Sequence, residues 1–202
     1  TIRPLRQMTG TAEFNEIFLD NVRVPHSNVI GDVDGGWHVA VTTLMNERKS
    51  LGSGGSGRRS SLSKRLADLA RRRGTLDAVA RQQIVNVHIQ SELCRFLSLR
   101  SLAATLYGKQ PGPEGSVTKL ASTKLNVDAG NLGMTLLGAS GMAVEVEDQR
   151  WMTRFLWGPG HRLGGGTDEV NRNIVAERVL GLPGEPRDDE TTPWRKIPRT
   201  VR

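Results

Sequence analysis

TLDAVARQQIVNVHIQSELCRFLSLRSLAATL, residues Thr75 to Leu106, sets the architecture. Thr75 can cap a helix running to Leu106, with Val79, Ile84, Val87, Leu93, Leu97 and Leu102 as its apolar face. Downstream, Pro111 and Pro113 interrupt the pattern. Ser116 can cap a second long helix carrying Val117, Leu120, Leu125, Leu132 and Leu136, which stops near Gly138. A loop at Gly138–Gly141 leads to a short helical stretch about Trp151–Trp157. A last helix from Thr167 to Leu180 is stopped by Gly181 and Pro183. Upstream, Leu62–Arg73 reads as a basic helical piece, separated by Ser53–Gly57 from a helix beginning near Gly36. That first helix carries Trp37, Val41, Leu44, Arg48 and Leu51 on one face. Before it, Ala12–Leu19 and Asn21–Val24 read as strands ending at a Pro25–Asn28 turn. The expected fold is mainly α: an antiparallel four-helix-type bundle preceded by the last strands of a β domain. The boundaries are 1–34 for the strands, 35–183 for the bundle and 184–202 for a mobile tail.

The chain has 202 residues, room for one good core or two small ones. No run approaches the roughly 18 apolar residues that a spanning helix needs, so no membrane partner is expected. The chain opens at Thr1 with no secretory pattern, and the missing initiator suggests a natural start further upstream. A single cysteine, Cys94, excludes an intrachain disulfide and a Cys-based zinc site, which suits a reducing, cytoplasmic setting. The net charge of +7 would permit an anionic partner. The basic residues are dispersed and the nine aromatics are not interleaved with them, so no nucleic-acid partner is expected.

Glu47 is the most informative acid. At about 100° per residue it falls at the edge of the face formed by Trp37, Val41, Leu44, Arg48 and Leu51. A carboxylate over an apolar surface is desolvated, and its raised pKa suits proton abstraction; the plainer alternative is a solvated helix position at the stripe's border. Arg48 could meet an anionic ligand or a structural carboxylate. Gly164-Gly165-Gly166-Thr167-Asp168-Glu169 runs a glycine loop into a helix start. Free N–H groups there could take a phosphate or carbonyl oxygen, or the segment is simply a tight turn with Thr167 as N-cap. Gly52–Gly57 matches G-x-G-x-x-G only in letters, because a helix and not a strand precedes it; it reads as a linker. The four histidines lack metal-binding spacing and no G-x-S-x-G elbow occurs, so neither a metal site nor a hydrolase triad is expected.

Several segments together resemble one family. Arg6–Gly10, Phe14-Asn15-Glu16, Asp20–Pro25 and Gly35-Gly36-Trp37 resemble the close of the middle β domain of acyl-CoA dehydrogenases. Leu44–Arg48 is similar to the first helix of their C-terminal bundle. Pro113–Leu120 resembles a segment of one bacterial-type branch, and Gly166–Pro183 closely resembles the family's terminal signature. The resemblance implies a flavoprotein oxidoreductase of fatty acid metabolism and β-oxidation that uses FAD. Acyl-CoA would become trans-2-enoyl-CoA by α-proton abstraction and β-hydride transfer, with electrons passing to an electron-transfer flavoprotein. It also implies a homo-oligomer, dimer or tetramer, or a subunit of a heteromeric dehydrogenase. Alone, lacking the family's N-terminal helical domain and most of its β domain, the chain is expected to bind FAD poorly and show little activity.

The resemblance assigns roles residue by residue. Many members place the base immediately before the signature's Gly-Thr, where this chain has Gly165 against the substrate; others place it on the first bundle helix, at Glu47. Arg48 matches an Arg near the CoA pantetheine. Thr167, Asp168, Glu169, Gln82, Thr135 and Gly138 match flavin-contacting positions, although the usual Gln is Thr135 here and Gly-Gly-Asn-Gly is Gly-Ala-Ser-Gly. The family's Arg-Gln-Phe-Gly is not recognisable around Arg71–Gly74. A non-catalytic partner subunit would also lack the loop Glu.

Overall fold

The computed structural model describes residues 1–53, 61–109, 112–143, 148–184, 192 and 194–196; side chains at 45, 46, 48–53, 61 and 194 lie outside the description. The linker at 54–57, Pro111 and most of the 184–202 tail therefore fall outside the described residues. Two short strands open the chain, β1 (Ile2–Leu5) and β2 (Phe14–Ile17), paired antiparallel with Ile2 opposite Ile17 and Leu5 opposite Phe14. Among the described residues seven α-helices follow: α1 (Gly36–Ser53), α2 (Ser61–Arg73), α3 (Ala78–Leu106), α4 (Gly115–Leu137), α5 (Gln149–Leu156), α6 (Gly158–Leu163) and α7 (Asp168–Ile174). A π-helical turn, Val175–Val179, prolongs α7. The chain is thus mainly helical behind a two-stranded hairpin, as the sequence predicts.

Four strand and cap expectations need correction. Only the centre of Ala12–Leu19 is a strand, and its partner is Ile2–Leu5, a segment not read as a strand from the sequence. The chain turns at Asn21, whose φ is +49°, so Asn21–Val24 never lines up along β2. The cap of α3 is Asp77, whose carboxylate accepts the Ala80 N–H at 2.7 Å, and Thr75 stands outside the helix. Ser116 lies inside α4 and is buried; the helix starts one residue earlier, with no side-chain cap. The predicted stops do hold: Gly138 takes φ +58° at the end of α4 and Gly181 takes +68° beyond the last turn, a region costly for any residue with a Cβ.

The core lies between α2, α3 and α4. Leu62, Leu66, Leu69 and Ala70 of α2 meet Ala80, Ile84, Val87 and Cys94 of α3 and Leu125, Ala129, Leu132 and Leu136 of α4. Gln90 of α3 reaches Asp128 of α4, and Gln83 shares a groove with Thr135, which fixes the two helices antiparallel. Of the expected α3 face, Ile84 and Val87 are buried, Leu97 is half-buried, and Val79, Leu93 and Leu102 are exposed. The buried positions run Ala80, Ile84, Val87, Ser91 and Cys94. The helix is apolar on two sides, and the second, with Val85, Ile89, Leu93, Phe96 and Leu99, faces outward.

Helix α5 seats Trp151, 1% exposed, against Gly133 of α4. A Cβ built at Gly133 would stand 2.6 Å from Trp151 Cε3 and 2.7 Å from Cδ2, closer than side chains approach. Gly133→Ala is therefore expected to cost about 1–3 kcal/mol through overpacking, read as a lower denaturant midpoint at unchanged slope. The hairpin touches the helices through Phe14, whose ring centroid lies 6.4 Å from that of Trp157. Among the described residues no helix is long and apolar enough to cross a membrane.

Candidate functional site

The glycine turn is held by three side chains, one of which belongs to α4. Thr167 Oγ1 accepts the Val170 N–H at 3.2 Å and is the N-cap of α7, so the capping alternative describes its side chain. Asn171, 1% exposed, donates from Nδ2 to the carbonyls of Gly166 at 2.8 Å and Thr167 at 2.9 Å. Lys119 of α4 meets the Asp168 carboxylate at 3.0 Å, with side chains only 18% and 10% exposed, and also donates to the Arg162 carbonyl at 3.3 Å. Gly165 and Gly166 take φ of +68° and +89° to let the chain turn between these anchors. Glu169 is exposed and faces Arg172 at 3.4 Å.

His161 lies beside this clamp, its ring 5.9 Å from that of Trp157. Burial first, then the charges of Arg154 and Lys119, hold its pKa below the ordinary imidazole value. Folded His161 is thus neutral where an unfolded one, titrating near pH 6.5, binds a proton. Its contribution is present above about pH 6.5 and is lost as pH falls toward the lowered folded value, because the unfolded chain then holds more protons. The expected result is a melting temperature that drops between pH 7.5 and 5.5 by less in His161→Gln, read by thermal denaturation.

A polar groove of about 240 Å³ runs between α3 and α4, lined by Gln83, Asn86, Val87 and Gln90 on one side and Asp128, Asn131, Leu132 and Thr135 on the other. Asp128 accepts Gln90 Nε2 at 2.8 Å and Lys124 Nζ at 2.7 Å. The carboxylate fixes the Gln90 amide: turning it over would set Oε1 against Asp128. Oε1 is consequently a buried acceptor with no protein donor among the described residues. Such an atom calls for a donor from water or a ligand.

The predicted residues fall into three places. Thr135 lines the groove and Gly138 caps the same helix end; Gln82 is exposed on α3, one position round from Gln83, which lines the groove instead. Thr167, Asp168, Glu169 and Gly165 form the glycine turn. Lys119 and Thr135 are sixteen residues apart on one helix, about 24 Å along its axis at 1.5 Å per residue. Among the described residues the groove and the turn are therefore two separate places. Glu47 is exposed on α1, beside Trp37, Val41 and Leu44, which are 75%, 36% and 49% exposed. The Arg48 side chain lies outside the described residues. Lys119, Gln83, Gln90 and Asn171 are not among the residues singled out from the sequence; Lys119 and Asn171 carried a signal, inside the Pro113–Leu120 and Gly166–Pro183 segments.

The chain is thus a helical domain with a short hairpin ahead of it, a glycine turn pinned to α4 and a polar groove between α3 and α4. The family description "Acyl-CoA dehydrogenase, C-terminal domain" matches residues 34–180, and the chain belongs to the acyl-CoA dehydrogenase family. It is 36% identical over 186 residues to acyl-CoA dehydrogenase IpdE1 of Mycolicibacterium smegmatis, covering 91% of this chain and 46% of that protein. The Tcur3481–Tcur3483 steroid ACAD superposes with a TM-score of 0.78 at 26% identity, over 91% of this chain and 49% of that one. The ChsE4–ChsE5 complex from Mycobacterium tuberculosis shares the fold, with a TM-score of 0.70 at 24% identity over 91% of this chain and 50% of that one. The chain spans about half the length of the curated relatives it matches.

Proposed function

We propose that the chain is the C-terminal part of a flavin-dependent acyl-CoA dehydrogenase, with residues 1–34 closing a β domain, 35–183 forming the bundle and Glu47 acting as the base. The observation that carries this reading is the state of α1: its stripe of Trp37, Val41 and Leu44 is uncovered by the described residues, and Glu47 stands at its border. An assembly that covers the stripe also takes Glu47 out of water, and a desolvated carboxylate has the raised proton affinity that abstraction from a weakly acidic thioester α-carbon requires. In these residues alone Glu47 meets solvent, so turnover belongs to the covered assembly. In this reading Gly165 leaves space for the acyl chain, and Arg48 takes the pantetheine arm on the strength of the family resemblance alone.

FAD, when bound, supplies the acceptor for the β-hydride and passes electrons to an electron-transfer flavoprotein. The residues present fit such a group: Gln90 Oε1 is a buried acceptor awaiting a donor, and Gln83, Asn86, Asn131 and Thr135 line the same groove with further polar groups; Gln82, beside Gln83 in the chain, and Gly138, at the end of the helix that carries Thr135, would act from its margins. Thr167, Asp168 and Glu169 would act from the turn. The separation of the two clusters supports a site completed by a second subunit, and the outward apolar side of α3 supports self-association or pairing with a related chain.

The alternative, a partner subunit without chemistry, is favoured by one observation, the similarity to the Tcur3481–Tcur3483 and ChsE4–ChsE5 assemblies. Glu47→Gln in the whole protein separates the readings: a base loses orders of magnitude in rate, and a structural acid leaves turnover nearly intact.

A further inference from the structure

A second concentration of charge sits where α2 meets the start of α5. Asp148, 1% exposed, accepts Arg72 Nη2 at 2.9 Å on one carboxylate oxygen and 3.1 Å on the other, and Arg150 Nη2 lies 3.4 Å away. Asp68 is paired with Arg71 at 2.9 Å. Arg65 has no ion pair among the described residues. Arg65, Arg72 and Arg150 line one concavity of about 150 Å³ with Asp68, Asp148 and Trp151. The buried carboxylate therefore orients two guanidinium groups without balancing the three, and the site keeps an excess of positive charge. Arg154 lies nearby: burial and then the charge of Arg65 lower its pKa, as expected where cations gather beyond their counter-charges.

We propose that this concavity binds a phosphate dianion, either inorganic phosphate or a terminal phosphate monoester, through the guanidinium groups of Arg65, Arg72 and Arg150. Guanidinium forks match phosphate oxygens geometrically, and a group already held by Asp148 loses little freedom on binding. The surplus of cations favours a dianion over a single carboxylate. The volume admits a phosphate group and leaves a nucleoside outside, so a larger ligand enters by its phosphate end. Nothing in this site depends on Glu47 or on the glycine turn.

The test is calorimetric titration of the flavin-saturated whole protein with inorganic phosphate, AMP and acetate, at low and at raised salt. Phosphate is expected to bind, to weaken as salt rises, and to lose about ten- to a hundredfold in affinity in Arg65→Ala. Arg65 is exposed, so the melting temperature without phosphate should stay put; Arg150→Ala provides a second variant, and Arg100→Ala on α3 a control that leaves binding unchanged. Tighter binding of AMP than of phosphate assigns a monoester, and equal or weaker binding assigns the free ion. Absence of binding, equal affinity in Arg65→Ala, equal binding of acetate, or a response confined to flavin-free protein would each overturn the proposal.

Discussion

Glu47→Gln is expected to lower turnover by about 10²–10⁴-fold, with substrate affinity nearly unchanged, in the whole protein that contains this chain. Glutamine keeps the length and the polar contacts of glutamate but accepts no proton at useful basicity. The other acids of the candidate site are poorly placed to substitute. Position 165 has no side chain, Asp168 is held by Lys119 at 3.0 Å, and Glu169 lies exposed beside Arg172. Two measurements read the step: the rate of flavin bleaching after mixing with acyl-CoA, and exchange of the substrate α-proton in deuterated water. Both should collapse together, because the second isolates proton removal from hydride transfer. Glu47→Asp should fall between, since a carboxylate drawn back by one methylene still titrates but stands further from the carbon. A Glu47→Gln protein that bleaches at the wild-type rate would make this chain a partner subunit.

The legibility of the molecule follows the range of the forces involved. Glycine stops were readable because a positive φ is a local demand: Gly138 and Gly181 end their helices as expected, and Thr167 caps α7. The hairpin is less legible, because a strand is defined by what it pairs with. Pro4 in Ile2–Leu5 hides that segment from any propensity argument, yet it fits an edge strand. Helix α3 was misjudged for a related reason. Its apolar residues surround the axis, so periodicity names two faces equally well, and only packing against α2 and α4 selects Ala80, Ile84 and Val87. The site divides the same way. Glu47 and the glycine turn could be singled out in one dimension, whereas Gln90 matters only because the register between α3 and α4 sets Asp128 against its amide.

Lys119→Met should be the most destabilising single change at the glycine turn, by about 3–5 kcal/mol. Methionine fills a similar volume, so the loss is electrostatic and not a cavity. It leaves the Asp168 carboxylate, whose side chain is 10% exposed, without its cation, and it also removes the donor to the Arg162 carbonyl. At this chain length each kcal/mol moves the midpoint by about 2–4 °C, so a drop of about 6–20 °C is expected. Replacing both partners, Lys119→Met with Asp168→Leu, should restore much of the loss, because the cost is an uncompensated charge and not a missing attraction. The pair differs from the surface bridge Lys124–Asp128, where Lys124→Met leaves a carboxylate still reached by Gln90 and 31% exposed, and should cost about 1 kcal/mol or less. The stability loss has a local counterpart. With Lys119 gone, Asn171 and the Thr167 cap alone hold the Gly164–Thr167 turn, and backbone amide exchange there should accelerate more than in α2 or α3. Uniform acceleration across the bundle would instead mean that the ion pair supports the fold as a whole and does not position the turn.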